Sequence, residues 1–190
     1  LRQAISDDYY ESCRIHIPPD RVIVTNGSSG AFLLIFTALL EPGKTLALSD
    51  PGYPCYKNIA LITDCAIKPM EVSADNNYEI LPSRLDAERP DVLVIANPSN
   101  PTGAIYRQET LAALHERMSA AGGALIIDEI YSGLTYDREF VTSACLSDDL
   151  IIVSGFSKAY AMTGWRLGWM IVPPGLVRPV QKLAQNLFIA

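Results

Sequence analysis

No apolar run in this chain is long enough to cross a bilayer: residues 27–40 and 150–156 come nearest, and polar or turn residues bound both. Histidine is nearly missing, with only His16 and His115, and the four cysteines (Cys13, Cys55, Cys65 and Cys145) form no CxxC pair and no metal-like spacing with them. This argues against a zinc site or a disulfide framework and favours free thiols in a reducing compartment, hence a soluble cytoplasmic protein. Positive charge is in deficit, 15 Lys and Arg against 21 Asp and Glu for a net charge of -6. Neither nucleic acid nor an anionic membrane is therefore expected as the main partner, although a local basic pocket could still take a phosphate. No charged leader followed by an apolar run opens the sequence, so no secretory signal is expected. Repeats, low-complexity tracts and long linkers are absent too.

What is there is 190 residues, 49% hydrophobic, enough for one substantial core or for one domain of a larger enzyme. The opening Leu1-Arg2-Gln3-Ala4-Ile5-Ser6 reads like the middle of an amphipathic helix, and residues 177–190 are helical in pattern and stop without a cap. The expectation is a segment, 1–190, cut at both ends. Short apolar runs at 22–25, 45–49, 66–70, 92–96, 124–127, 150–153 and 167–172 are bounded by Pro, Gly, Asp or Asn and predict buried strands. Helical segments are predicted at 29–40, 53–62, 108–121 and 176–188. Strands alternating with helices imply an α/β fold, a mostly parallel sheet covered on both faces. In such sheets ligands gather at the carboxyl ends of the strands, where four motifs directly follow a predicted strand.

The first, Gly27-Ser28-Ser29-Gly30, opens a helix, where free N–H groups and the helix dipole suit an anion and Gly27 lets the backbone approach closely. An ordinary serine cap explains it equally well. In the second, 97–103, Pro98 and Pro101 hold Asn97 and Asn100 out of helical geometry and present their amides from a stiff loop. Asn97 fits a structural Asx turn, Asn100 a ligand contact. The third places Asp128 at the end of an apolar strand, with Tyr131 three residues on. An unpaired anion there is costly, so Asp128 needs a cationic partner, such as a protonated pyridine nitrogen. A helix N-cap or metal ligand is the alternative, but no His or Asp cluster completes a metal site. The fourth holds Ser157-Lys158, with Arg166 eight positions beyond the lysine. A surface lysine in a turn is the plain reading; beside the other motifs, an amine for an aldehyde cofactor and a planar fork for its phosphate fit better. Tyr53, in Asp50-Pro51-Gly52-Tyr53-Pro54, is either a half-buried core tyrosine or a flat surface on which a ring can stack.

Together 97–103, 128–131 and 157–168 resemble, in order and approximate spacing, the class I/II pyridoxal-phosphate-dependent aminotransferases, the aspartate-aminotransferase-like branch of fold type I. The resemblance covers residues 22–172. It implies the family's large, cofactor-binding domain with a seven-stranded, mostly parallel sheet, its small domain absent here. It further implies a Schiff base between Lys158 and pyridoxal 5'-phosphate, the released Lys158 amine then moving a proton at the substrate α-carbon. Asp128 would pair with the ring nitrogen, Asn100 and Tyr131 would hold the ring oxygen, and Tyr53 would stack on the ring. Gly27, Ser28, Ser29 and Arg166, with Ser157 beside them, would hold the phosphate. Some relatives carry a serine three residues before the lysine, where this chain has Gly155. The implied reaction moves an amino group from an amino acid to a 2-oxo acid in a homodimer. Relatives bind the substrate carboxylate with an arginine beyond this segment, so 1–190 alone is expected to be weakly active or inactive. A C–S β-lyase shares these motifs, and so does the aminotransferase-like sensor domain of some transcription regulators, which would need a DNA-binding region upstream.

Overall fold

The computed structural model describes residues 1–136 and 140–189. Seven strands form one sheet: β1 (Val22–Asn26), β2 (Thr45–Asp50), β3 (Ala66–Glu71), β4 (Val92–Ala96), β5 (Ala124–Asp128), β6 (Ile151–Gly155) and β7 (Leu167–Ile171). Their order across the sheet is β1-β7-β6-β5-β4-β2-β3. Pairings from β3 to β6 are parallel, while β7 runs antiparallel to both β6 and β1. The expected seven-stranded, mostly parallel sheet is present.

Both faces are covered, which is why the central strands read as unbroken apolar runs. On one face Leu93, Ile95, Leu125, Ile127 and Ile152 pack with Tyr9 of α1 (Arg2–Cys13) and with Leu111, Leu114 and Met118 of α5 (Gln108–Ala120). On the other, Val94, Ala96, Ile126, Val153 and Met170 meet Phe32, Ile35 and Phe36 of α2 (Gly27–Leu39) and Tyr56 of α3 (Pro54–Ala60). Helix α6 (Pro174–Phe188) sends Val180 into this second core, leaving α2 with almost no wet side and explaining its apolar sequence. Each fully buried Phe, Leu or Ile contributes roughly 1.5–3 kcal/mol of burial free energy. Pro69 cannot donate to a sheet ladder, and β3 sits at an edge, where this is tolerated.

Three local differences from expectation have physical causes. Helix α2 begins at Gly27, two residues early, because a φ of +68° lets the chain turn from β1 straight into the helix. Helix α3 stops at Ala60 and tightens into a 3-10 turn over Leu61–Thr63. A short α4 (Arg84–Glu88), without apolar periodicity, was not expected. The helix expected over 177–190 is seen to Phe188, and Ala190 lies outside the described residues. No helix among the described residues is long and apolar enough to cross a membrane.

Candidate active site

All ten predicted site residues lie at one end of the sheet, because each follows a strand with the same direction or precedes the antiparallel β7. Asp128 ends β5, Tyr131 sits in the turn after it, Asn100 follows β4, and Ser157 and Lys158 follow β6. Gly27, Ser28 and Ser29 open α2 directly after β1, Tyr53 precedes α3 after β2, and Arg166 leads into β7.

One corner is an anion cup. The first turn of α2 leaves backbone N–H groups free of intrahelical partners. The Arg166 guanidinium lies over it: a Cβ on Gly27 would stand 2.7 Å from Arg166 Nη2. Arg166 is steadied by donating from Nη1 to the Thr163 carbonyl at 3.1 Å. From below, Gly168 of β7 closes on the cup so tightly that a Cβ there would meet Gly27 C at 2.7 Å and Ser28 N at 2.8 Å. Those neighbours are backbone atoms and cannot swing aside. Gly168→Ala is therefore predicted to lower the urea-unfolding stability by about 1–3 kcal/mol and to weaken protection by inorganic phosphate. Gly155 faces Gly168 across the β6–β7 pair, and a Cβ on it would come within 3.0 Å of Ile130 Cδ1. The adjacent Ser154 donates its hydroxyl to the Glu129 carbonyl at 3.4 Å. Among the described residues the Ser157 side chain makes no hydrogen bond.

A second corner is a buried carboxylate. Asp128 is 3% exposed and accepts from Ile130 N at 3.0 Å and from the Tyr56 hydroxyl at 2.7 Å. Burial pushes its carboxyl up to about 6, against the Tyr56 and Ile130 hydrogen bonds and the field of Lys158. No ion pair to Asp128 occurs among the described residues, so a ligand cation could be accepted there. Beside it, Glu129 is equally buried, accepting from Thr142 Oγ1 and Ser143 N, each at 2.6 Å, and burial pushes it up to about 7.

The third corner carries the amine. Lys158 is exposed, its Nζ lies 5.6 Å from the centroid of the Tyr131 ring, and that amine makes no ion pair or hydrogen bond among the described residues. Asn100 Nδ2 donates to the Tyr131 hydroxyl at a long 3.5 Å. Tyr53 is 42% exposed, its ring edge-on to Tyr56 at 5.5 Å. Its hydroxyl is held above the ordinary value by burial and then by Cys55, Tyr131 and Asp128, which places it at this same site. Asn97 is the structural amide: fully buried, it accepts from Tyr106 N at 3.0 Å. No cluster of His, Cys, Asp and Glu among the described residues could hold a metal ion.

Chemically, this end of the sheet offers a helix N-terminus beside an arginine, a buried carboxylate without an ion-pair partner among the described residues, an exposed primary amine and a phenol–amide pair. The profile of the aminotransferase class I and II family matches residues 1–189. The chain belongs to this family. Among its class I and II relatives, a valine–pyruvate aminotransferase of Mycobacterium tuberculosis is 40% identical over all of this chain and half of its own length. A (5-formylfuran-3-yl)methyl phosphate transaminase of Methanocaldococcus jannaschii is 35% identical, again over all of this chain and half of that one. A crystal structure of an aminotransferase from Mycobacterium tuberculosis superposes with a TM-score of 0.95 at 39% identity, covering 100% of this chain and 50% of that one. An aspartate aminotransferase from Thermus thermophilus with maleate gives 0.91 at 28% identity, covering 97% and 50%. The chain thus spans about half the length of the class I and II aminotransferases that it matches, and its sheet is that of their large domain.

Three residues at or beside this candidate site were not singled out from the sequence. Tyr56 lies inside a short helix whose pattern gives no hint that its hydroxyl reaches Asp128. Glu129 was readable in principle, as a second carboxylate at the end of an apolar strand. Gly168 carried a signal too, since glycine within a strand marks close backbone approach.

Proposed function

We propose that the full-length protein is a pyridoxal-phosphate-dependent aminotransferase moving an amino group from an amino acid to a 2-oxo acid, with residues 1–190 as its cofactor-binding large domain. The observation that carries this reading is the convergence of a free amine, an unpaired buried carboxylate and a glycine-walled anion cup on one end of the sheet. The residues fit the cofactor's chemistry: an arginine set against the first turn of a helix suits a phosphate, a buried carboxylate without an ion-pair partner among the described residues suits a ring nitrogen, and an exposed amine suits an aldehyde. When bound, the cofactor supplies an electron sink for the electron pair released at the substrate α-carbon.

The chain's own residues then have separate tasks. N–H groups of Ser28 and Ser29, with Arg166, hold the phosphate, and Ser157 stands at its rim. Asp128 would keep the ring nitrogen protonated, while Asn100 and Tyr131 would steady negative charge on the ring oxygen. Tyr53 offers its exposed face for stacking. Lys158 would supply the amine for the cofactor's aldehyde and would move the proton at the substrate α-carbon. The substrate-orienting groups lie outside this segment, so 1–190 alone is assigned little or no turnover. A homodimer is the expected assembly, and four unpaired thiols support a reducing, cytoplasmic setting.

The test is a visible spectrum of the full-length protein with pyridoxal phosphate and a panel of amino acids. Loss of the bound-cofactor band on adding one amino acid, and its return with a 2-oxo acid, supports amino transfer. Release of ammonia and pyruvate instead replaces this reading with a lyase.

A further inference from the structure

We infer that Tyr56 is a positioning residue that fixes Asp128 for the cofactor's ring nitrogen; this rests on the reading above. A carboxylate has two oxygens with about four acceptor positions between them, and its plane can rotate unless donors from different directions hold it. Ile130 N holds Oδ1 at 3.0 Å from the turn that follows β5. Tyr56 holds Oδ2 at 2.7 Å from a helix far away in sequence. With one donor on each oxygen, rotation about the side-chain bond breaks one of them. The remaining acceptor positions therefore point in fixed directions.

Tyr56 is itself held. It is 4% exposed, its ring centroid lies 4.7 Å from that of Phe32 on α2, and Tyr53 meets it edge-on. The turn that launches α3 admits no side chain at Gly52, where a Cβ would stand 2.3 Å from the Ser49 carbonyl oxygen. One short helix thus sets both the tyrosine offered for stacking and the donor that grips the carboxylate. The hydroxyl also favours the ionised carboxylate against burial, and so favours the shared proton on the ring nitrogen rather than on Asp128. Lys158, Glu129 and Tyr53 are the other ionisable groups near this carboxylate, and none of them donates a hydrogen bond to it.

The experiment uses the full-length holoenzyme loaded with pyridoxal phosphate carrying 15N in the ring. In the native protein the 15N resonance is that of a protonated ring. In Tyr56→Phe, which keeps the ring packing and loses only the hydroxyl, it moves toward the neutral pyridine position. Over the same change kcat falls on the order of 10- to 100-fold, the factor for losing one hydrogen bond to a charged group. Incorporating p-aminophenylalanine at position 56 restores a donor on the same ring and returns the resonance. Leu111→Ala, a buried change on the opposite face, destabilises the fold and leaves the resonance in place. An unmoved resonance in Tyr56→Phe, or an equal movement in Leu111→Ala, overturns the assignment of Tyr56 alone. A native protein that binds no cofactor overturns both this inference and the aminotransferase reading.

Discussion

Lys158→Ala in the full-length protein is expected to abolish amino transfer while leaving the fold intact. Loss of a positioned proton-transfer group alone costs about 10²- to 10⁴-fold, and loss of the amine that holds the aldehyde adds to that. Stability should change little, because Lys158 is exposed, lies in the turn after β6, and its side chain makes no ion pair or hydrogen bond among the described residues. Exposed changes of this kind stay within about 0.5 kcal/mol. The paired measurements are single-turnover rate and urea midpoint, with borohydride reduction as a chemical check. Reduction fixes the cofactor on the attacking amine, so trypsin no longer cuts after Lys158 in the native protein. Retention of a tenth or more of the native rate by the variant, or an adduct on another lysine, would remove Lys158 from the chemistry.

The second large effect is on stability and has an unusual sign. Burial raises Asp128 from 3.8 to about 6 and Glu129 from 4.5 to about 7. A carboxyl whose folded value is raised binds its proton more tightly when folded, so the cofactor-free protein loses stability as pH rises from about 4 to 7. Each group contributes roughly 3 kcal/mol to that loss. Below this window Glu79 and Asp91 act the other way. Despite the opposing cost of its burial, Glu79 is held below the ordinary range by Arg107 and Thr110, while Lys44 foremost lowers Asp91, so their contributions vanish on acidification. Urea midpoints of the cofactor-free protein are thus expected to be higher at pH 5 than at pH 8. Asp128→Asn removes part of the slope. Its amide oxygen can satisfy only one of the two donors, Tyr56 and Ile130, so the net gain at pH 8 is about 1–2 kcal/mol. On the proposed reading the same substitution also removes the charge meant for the ring nitrogen, so stability is expected to rise as function falls. A flat or rising midpoint between pH 5 and pH 8 would show that neither carboxyl is raised.

How much of this was legible depends on what kind of force places each residue. The run Val92–Ala96 reads as a strand to the residue because burial on both faces demands five apolar side chains in a row. The anion cup reads from Gly27 and Arg166 because each residue type has a narrow chemical use. The direction of β7 does not read: an apolar run looks the same whichever way it enters the sheet, and only its pairing with β1 and β6 decides it. Tyr56 is hidden for a similar reason, since the hydroxyl that matters finds its partner 72 positions away. The short α4, placed between β3 and β4, has too few residues for any periodicity to show.

The place of β1 at the sheet margin has a consequence for how the protein is made. Among the described residues its one neighbour in the ladder is β7, the last of this sheet's strands along the sequence. Until β7 leaves the ribosome, β1 and the greasy helix behind it have no finished surface to lie on, a long wait of the kind that slows folding and invites chaperones. The close approach of Gly168 to the Gly27 and Ser28 backbone, beside the proposed phosphate site, is therefore among the last contacts to form.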